Sequence, residues 1–343
     1  MRRDLGLGTA LVAIVLLVAS ACGGVSESGA AGASGTAGAS GSTKLTLVAY
    51  STPKEAYEEL IPAFQKTQAG QGVTFEQSYA ASGEQSRAVE AGLPASVVAF
   101  SLEPDITRLV DAGLVAEDWN SDEYKGMVTD SVVVFVVRKG NPKGIKTWDD
   151  LVKPGIEVIT PNPFTSGGAR WNLMAAYGAQ LELGKTEEQA LDYLHQLLSN
   201  TPVQDKSARE ALQTFVGGKG DVMIAYENEA ITAQQKGEDV DYVVPDQTIL
   251  IENPIAVAKD APASAQAFVD FLRSPEAQQI FADKGYRPVS KEVLAKTTFP
   301  APAALFTIEK FGGWGVVKDK FFDPDNGFVA KIEQDLGVST DSG

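Results

Sequence analysis

From Leu45 almost to the C-terminus, short apolar runs alternate with stretches whose apolar positions recur at helical spacing. Residues 45–50 read as a strand, and the spacing over 56–65 predicts a helix. Residues 73–75 and 97–100 read as two more strands, and 104–112 as a helix that Gly113 ends. The run 131–138 is almost all Val and Phe and predicts the strongest strand of the chain. Helices are expected over 170–183 and 186–198, and strands over 222–226, 241–245 and 249–257. Ser274 followed by Pro275 reads as an N-cap and first helical residue. This alternation predicts an α/β fold. Crossings near Ser131 and Ile249 would divide it into two lobes, residues 44–130 plus 250–300 and residues 131–249. Residues 301–343, where aromatics and glycines mix, are expected to pack on the body as an extension. A ligand would then sit between the lobes, at strand ends where helices begin.

Four such junctions share one form, a strand or loop running through a small hydroxyl residue into a helix. They are Tyr50-Ser51-Thr52-Pro53, Ala81-Ser82-Gly83-Glu84, Thr165-Ser166-Gly167-Gly168 and Lys206-Ser207-Ala208-Arg209. A helix start exposes unpaired backbone N–H groups and the positive end of the helix dipole. Several starts converging on one cleft could hold a small oxyanion without a formal positive charge. Thr52 to Glu55, Ser82 to Gln85 and Ser207 to Glu210 also match the capping-box pattern, so these hydroxyls can equally cap their own helices.

The N-terminus reads as an export signal over residues 1–21. Arg2 and Arg3 precede an apolar run, 5–18, which is short for a membrane span. It ends in Ala19-Ser20-Ala21-Cys22, similar to a bacterial lipobox but with Ala19 where Leu or Val is usual. Cys22 is the only cysteine, so lipidation is expected there and an internal disulfide is excluded. Residues 22–43 are nearly all Gly, Ala, Ser and Thr, a composition that reads as a flexible tether. A net charge of −16 argues against a nucleic-acid partner. It leaves a small anion open, because local dipoles decide that. The single histidine, His195, sits in an amphipathic helical stretch, which leaves a zinc site or a serine–histidine triad little to work with.

With these motifs located, the chain resembles the bacterial sulfate/thiosulfate-binding proteins, which have the type II periplasmic-binding-protein fold. The resemblance runs from Leu45 to about Ile332. It is carried by Ile159-Thr160-Pro161-Asn162-Pro163, Ser166-Gly167-Gly168-Ala169-Arg170-Trp171-Asn172, Ala225-Tyr226-Glu227-Asn228-Glu229-Ala230 and Gly285-Tyr286-Arg287-Pro288, in order. It implies main-chain donors to the anion at Ser51, Ser82, Gly167, Gly168 and Ala208, and a hydroxyl donor at Ser166. The family's indole donor falls on Tyr226, and Ser51 stands where Asp is common. Arg170 and Arg209 are expected not to touch the ligand but to pair with acids such as Asp221, Glu227 or Glu229. The resemblance further implies a monomeric receptor without cofactor or metal. It would be held by lipid to the outer face of the cytoplasmic membrane and deliver sulfate to an ABC permease. Thiosulfate, molybdate and phosphate remain as alternative ligands. A donor-only site favours a fully deprotonated anion, since hydrogen phosphate needs an acceptor. A surface or sensor lipoprotein is a further alternative. A serine hydrolase built on Ser166 lacks a base.

Overall fold

The structure is a computed structural model that describes residues 42–340, and the expectations placed on the export signal, Cys22 and most of the tether lie outside the described residues. The strands are β1 (Thr43–Tyr50), β2 (Val73–Ala80), β3 (Val97–Ala99), β4 (Met127–Arg138), β5 (Val158–Ile159), β6 (Val222–Tyr226), β7 (Val240–Val243), β8 (Gln247–Val257), β9 (Arg287–Pro288) and β10 (Ala304–Phe306). The helices of the first half of the chain are α1 (Lys54–Lys66), α2 (Ser82–Glu90), α3 (Glu103–Asp111), α4 (Trp148–Leu151), α5 (Gly167–Glu182) and α6 (Glu187–Ser199). Those of the second half are α7 (Ala208–Val216), α8 (Glu227–Gln235), α9 (Ala263–Leu272), α10 (Pro275–Asp283), α11 (Lys291–Leu294), α12 (Gly313–Phe322) and α13 (Phe328–Asp335).

The strands join in the order β2-β1-β3-β8-β4-β6-β5, with β10 on β8 and with β7 and β9 on β4. Strands β1, β2 and β3 are mutually parallel, as βαβ connections through α1 and α2 require. The two long antiparallel strands tie the halves of the sheet together. Residues Met127–Val132 of β4 pair with β8, and from Val133 onward β4 pairs instead with β6. Val132 to Val137 are all buried, which explains why this strand reads as an unbroken apolar run rather than an alternating one.

Each half has its own core. One gathers Leu47, Tyr57, Phe64, Phe268 and Phe281 between β1 and helices α1, α9 and α10. The other gathers Phe135, Trp148, Trp171, Tyr177 and Phe321 around α5. The C-terminal stretch, which carries no clear period in sequence, forms β10, α12 and α13. Trp314 of α12 meets Trp171 edge to face, ring centroids 4.6 Å apart. At the fourth junction Val203 makes only a single bridge to Ile159, so it is a loop that leads into α7.

Candidate anion-binding site

A small cavity lies where four helix starts meet, lined by Tyr50, Ser51, Thr52, Ala81, Ser82, Ser101, Ser166, Gly168, Ala208 and Tyr226. Ser51 sits between β1 and α1; Ser82 and Ala208 are the first residues of α2 and α7. Ser166 is the N-cap of α5 and Gly168 its second residue. The early N–H groups of each helix have no partner inside it. Of the residues singled out in sequence, the structure brings Ser51, Ser82, Ser166, Gly168, Ala208 and Tyr226 to this one cavity. Gly167 is not among the lining residues. A Cβ on it would stand 2.8 Å from Ser101 Cβ and 2.8 Å from Leu102 Cδ2, so its missing side chain serves the approach of α5 to the Ser101 loop.

The hydroxyls divide into two kinds. Ser166 Oγ accepts from Ala169 N at 3.4 Å, which leaves its own O–H free to donate. Ser82 Oγ is fully engaged: it donates to Asp105 Oδ2 at 2.5 Å and accepts from Ser101 N at 2.9 Å. Only the backbone of Ser82 can therefore serve a ligand. Of the three expected capping boxes, only Ser207 with Glu210 forms. At α2 the N-cap is Ala81, because Asp105 takes the Ser82 hydroxyl. At α1 the N-cap is Pro53, and Thr52 Oγ1 lies 3.0 Å from Tyr286 OH instead.

Tyr226 closes β6 and lies 2 % exposed, its OH 2.6 Å from Ser101 Oγ. Burial, reinforced by neighbouring Tyr50, pushes its phenol well above the usual range, so it stays a neutral donor at any physiological pH. Ser101 was missed in sequence, although Phe100-Ser101-Leu102-Glu103-Pro104 repeats the strand–hydroxyl–helix form of the other junctions. Tyr50 and Thr52 also line the cavity, at the junction where the resemblance implies a role for Ser51 alone.

The arginines sit behind this lining. Arg209 binds Glu55 through two contacts, 2.5 and 2.8 Å, and reaches Glu229 at 3.1 Å and the Thr52 carbonyl at 3.1 Å. Burial alone would raise the Glu55 pKa, but Arg209 and Lys236 outweigh it and hold it at about 2. Arg170 pairs with none of the acids expected for it. It donates to the Pro163 carbonyl at 2.8 Å, and its charge opposes the upward push of burial on Asp105. Asp221 and Glu227 are taken by Lys143 and Arg287. No charged side chain lines the cavity. Such a site offers hydrogen-bond donors and helix dipoles, and no base or nucleophile–base pair. His195 is exposed on α6, and no metal-ligating cluster occurs among the described residues.

The family model described as bacterial extracellular solute-binding protein matches residues 45–287. The chain belongs to this family. It is 42% identical to the sulfate-binding protein of Synechococcus elongatus, over 97% of this chain and 97% of that one. The sulfate-binding protein of Escherichia coli is 40% identical over 81% of this chain and 90% of its own. The solved structure of the sulfate-binding protein SubI from Mycobacterium tuberculosis is 48% identical, with a TM-score of 0.80, and covers 82% of this chain and 100% of its own. The fold is the two-lobe type II fold of these binding proteins.

Proposed function

We propose that this chain is the extracytoplasmic sulfate receptor of an ABC transporter. It encloses sulfate in the cavity between the sheet halves and presents it to the permease. The observation that carries this reading is the cavity itself, where helix starts converge and no lining side chain is charged. Main-chain N–H groups of Ser51, Ser82, Gly168 and Ala208 and the hydroxyls of Ser166 and Tyr226 donate to the ligand, and the N–H of Gly167, which lies just behind the lining, completes the set as the lobes close on it. Sulfate carries no proton near neutral pH and is satisfied by donors alone. Hydrogen phosphate would set its own proton against a wall of donors, which costs the unmade bond. The name shared by several relatives supports the same ligand.

The two lobes meet along β4 and β8, where β4 changes partners between Val132 and Val133. Closing them shields the anion from water and strengthens every bond to it. Lipid on Cys22 and the Gly/Ala/Ser tether keep the receptor beside its permease. Thiosulfate is the second reading, favoured by a 37% identical thiosulfate-binding protein of Escherichia coli. Equilibrium binding of radiolabelled sulfate to residues 44–343, with thiosulfate and phosphate as competitors, tests the assignment. Sulfate should bind and phosphate should fail to displace it. Displacement by phosphate at equal concentration would refute the reading.

A further inference from the structure

We propose that Ser101 positions Tyr226 for the anion: the serine hydroxyl donates to the phenol oxygen and turns the phenol proton toward the ligand. This rests on the reading above, in which Tyr226 is a ligand donor. Ser101 follows β3 in one half of the sheet, and Tyr226 ends β6 in the other. Their oxygens are 2.6 Å apart, and either can be the donor. Ser101 itself is held from three directions. Its N–H donates to Ser82 Oγ at 2.9 Å, and its carbonyl accepts from Trp171 Nε1 at 2.8 Å and Asn253 Nδ2 at 3.1 Å. These bonds fix its backbone, and at 1 % exposure its side chain is enclosed beside the phenol.

Two hydroxyls in contact own two protons and use one between them, so one remains for the cavity that both line. A dianion is the strongest acceptor there and takes the more acidic proton. That is the phenol's, whose ordinary pKa of ~10 lies far below that of an aliphatic hydroxyl. The serine proton then fills the phenol oxygen, and the two bonds polarise one another in the same direction. The contact spans the two halves, so the donor is aimed only when the halves are together.

A double-mutant cycle tests this by calorimetric titration of sulfate into the parent, Ser101→Ala, Tyr226→Phe and the double variant. Tyr226→Phe should weaken binding by about tenfold or more. Ser101→Ala keeps the Cβ and should weaken it by roughly three- to tenfold in the parent background. In the Tyr226→Phe background it should cost nothing, because there is no phenol left to aim. A purely structural role would weaken both backgrounds alike. Ser101→Cys, which keeps the volume and a weak donor, should fall between parent and Ser101→Ala. Unchanged affinity in Ser101→Ala, or an equal loss in both backgrounds, overturns the proposal. A parent that gives no heat with sulfate removes the receptor reading itself, and this proposal with it.

Discussion

Gly167→Ala is a wedge placed between the two halves of the molecule. The new methyl would lie 2.8 Å from Ser101 Cβ, 2.8 Å from Leu102 Cδ2 and 2.9 Å from Ser101 Oγ. Ordinary carbon contacts fall at about 3.5–4.0 Å, so α5 and the β3–α3 connection must separate by several tenths of an ångström. Overpacking of this kind costs about 1–3 kcal/mol where the walls cannot yield. In the ligand-free protein a slight opening of the halves relieves it. With the anion bound the halves must stay together, and the cost falls on binding. Sulfate affinity should therefore drop by roughly five- to 150-fold, while the ligand-free melting temperature stays within about 2 °C of the parent. Gly168→Ala is the control for the fold, because its methyl would meet Ser166 Oγ and Tyr226 Cε1 at an ordinary 3.5 Å. Calorimetric titration and thermal melting of each variant without ligand supply both numbers. A Gly167→Ala variant that binds sulfate as tightly as the parent would refute the view that closure along this seam builds the site.

Ser166→Ala should cost about 1.5–3 kcal/mol of sulfate binding, the range for a hydrogen bond to a charged group. Loss of its cap on α5 should cost stability by about 1 kcal/mol as well, measurable by urea titration. Glu55, held at about 2 by Arg209 and Lys236 against burial, contributes stability that is complete above its unfolded pKa of ~4.3 and is lost as pH falls through 2. Acid melting below about pH 4 should be shallower in Glu55→Gln than in the parent. Asp130 behaves oppositely. Burial, with Glu252 paired across the sheet and Arg287 opposing, pushes it up to about 8. The folded state then keeps a proton that the unfolded chain gives up near pH 4, so stability falls as pH rises toward 8. Asp130→Asn should abolish that fall and melt higher than the parent at pH 8; identical pH–melting curves would disprove it.

Sequence alone carried the parts of this architecture that depend on local pattern. The Val-rich run of β4 and the Ser274–Pro275 start of α10 are both where the residues place them. The hydroxyls failed as caps wherever a distant group claimed them. Asp105 lies 23 residues from Ser82, and Tyr286 lies 234 residues from Thr52, separations that no window of sequence can read. Arg170 misled for the same reason, since its charge neighbour is Asp105 on α3 rather than an acid near β6. Ser101 is different, because its junction was visible. Its strand is only three residues long, and Ser101 lies one residue before the N-cap of α3, Leu102, so it falls outside the hydroxyl-cap pattern of the other junctions. The C-terminal helices stayed hidden because they are only ten and eight residues long and open on glycines, Gly313 as the first residue of α12 and Gly327 as the N-cap of α13, so the apolar residues that face the α5 core are too few to read as a period.

The central claim is a cavity that holds a fully deprotonated anion by donors alone. Calorimetric titration of the soluble domain with sulfate across about pH 5 to pH 8, repeated with phosphate, tests it most directly. Neither sulfate nor any cavity-lining group changes protonation in that span, so sulfate affinity should be nearly flat while phosphate gives little or no heat. Sulfate affinity that tracks pH by a factor of ten per unit, or phosphate binding as tight as sulfate at pH 7, would contradict it.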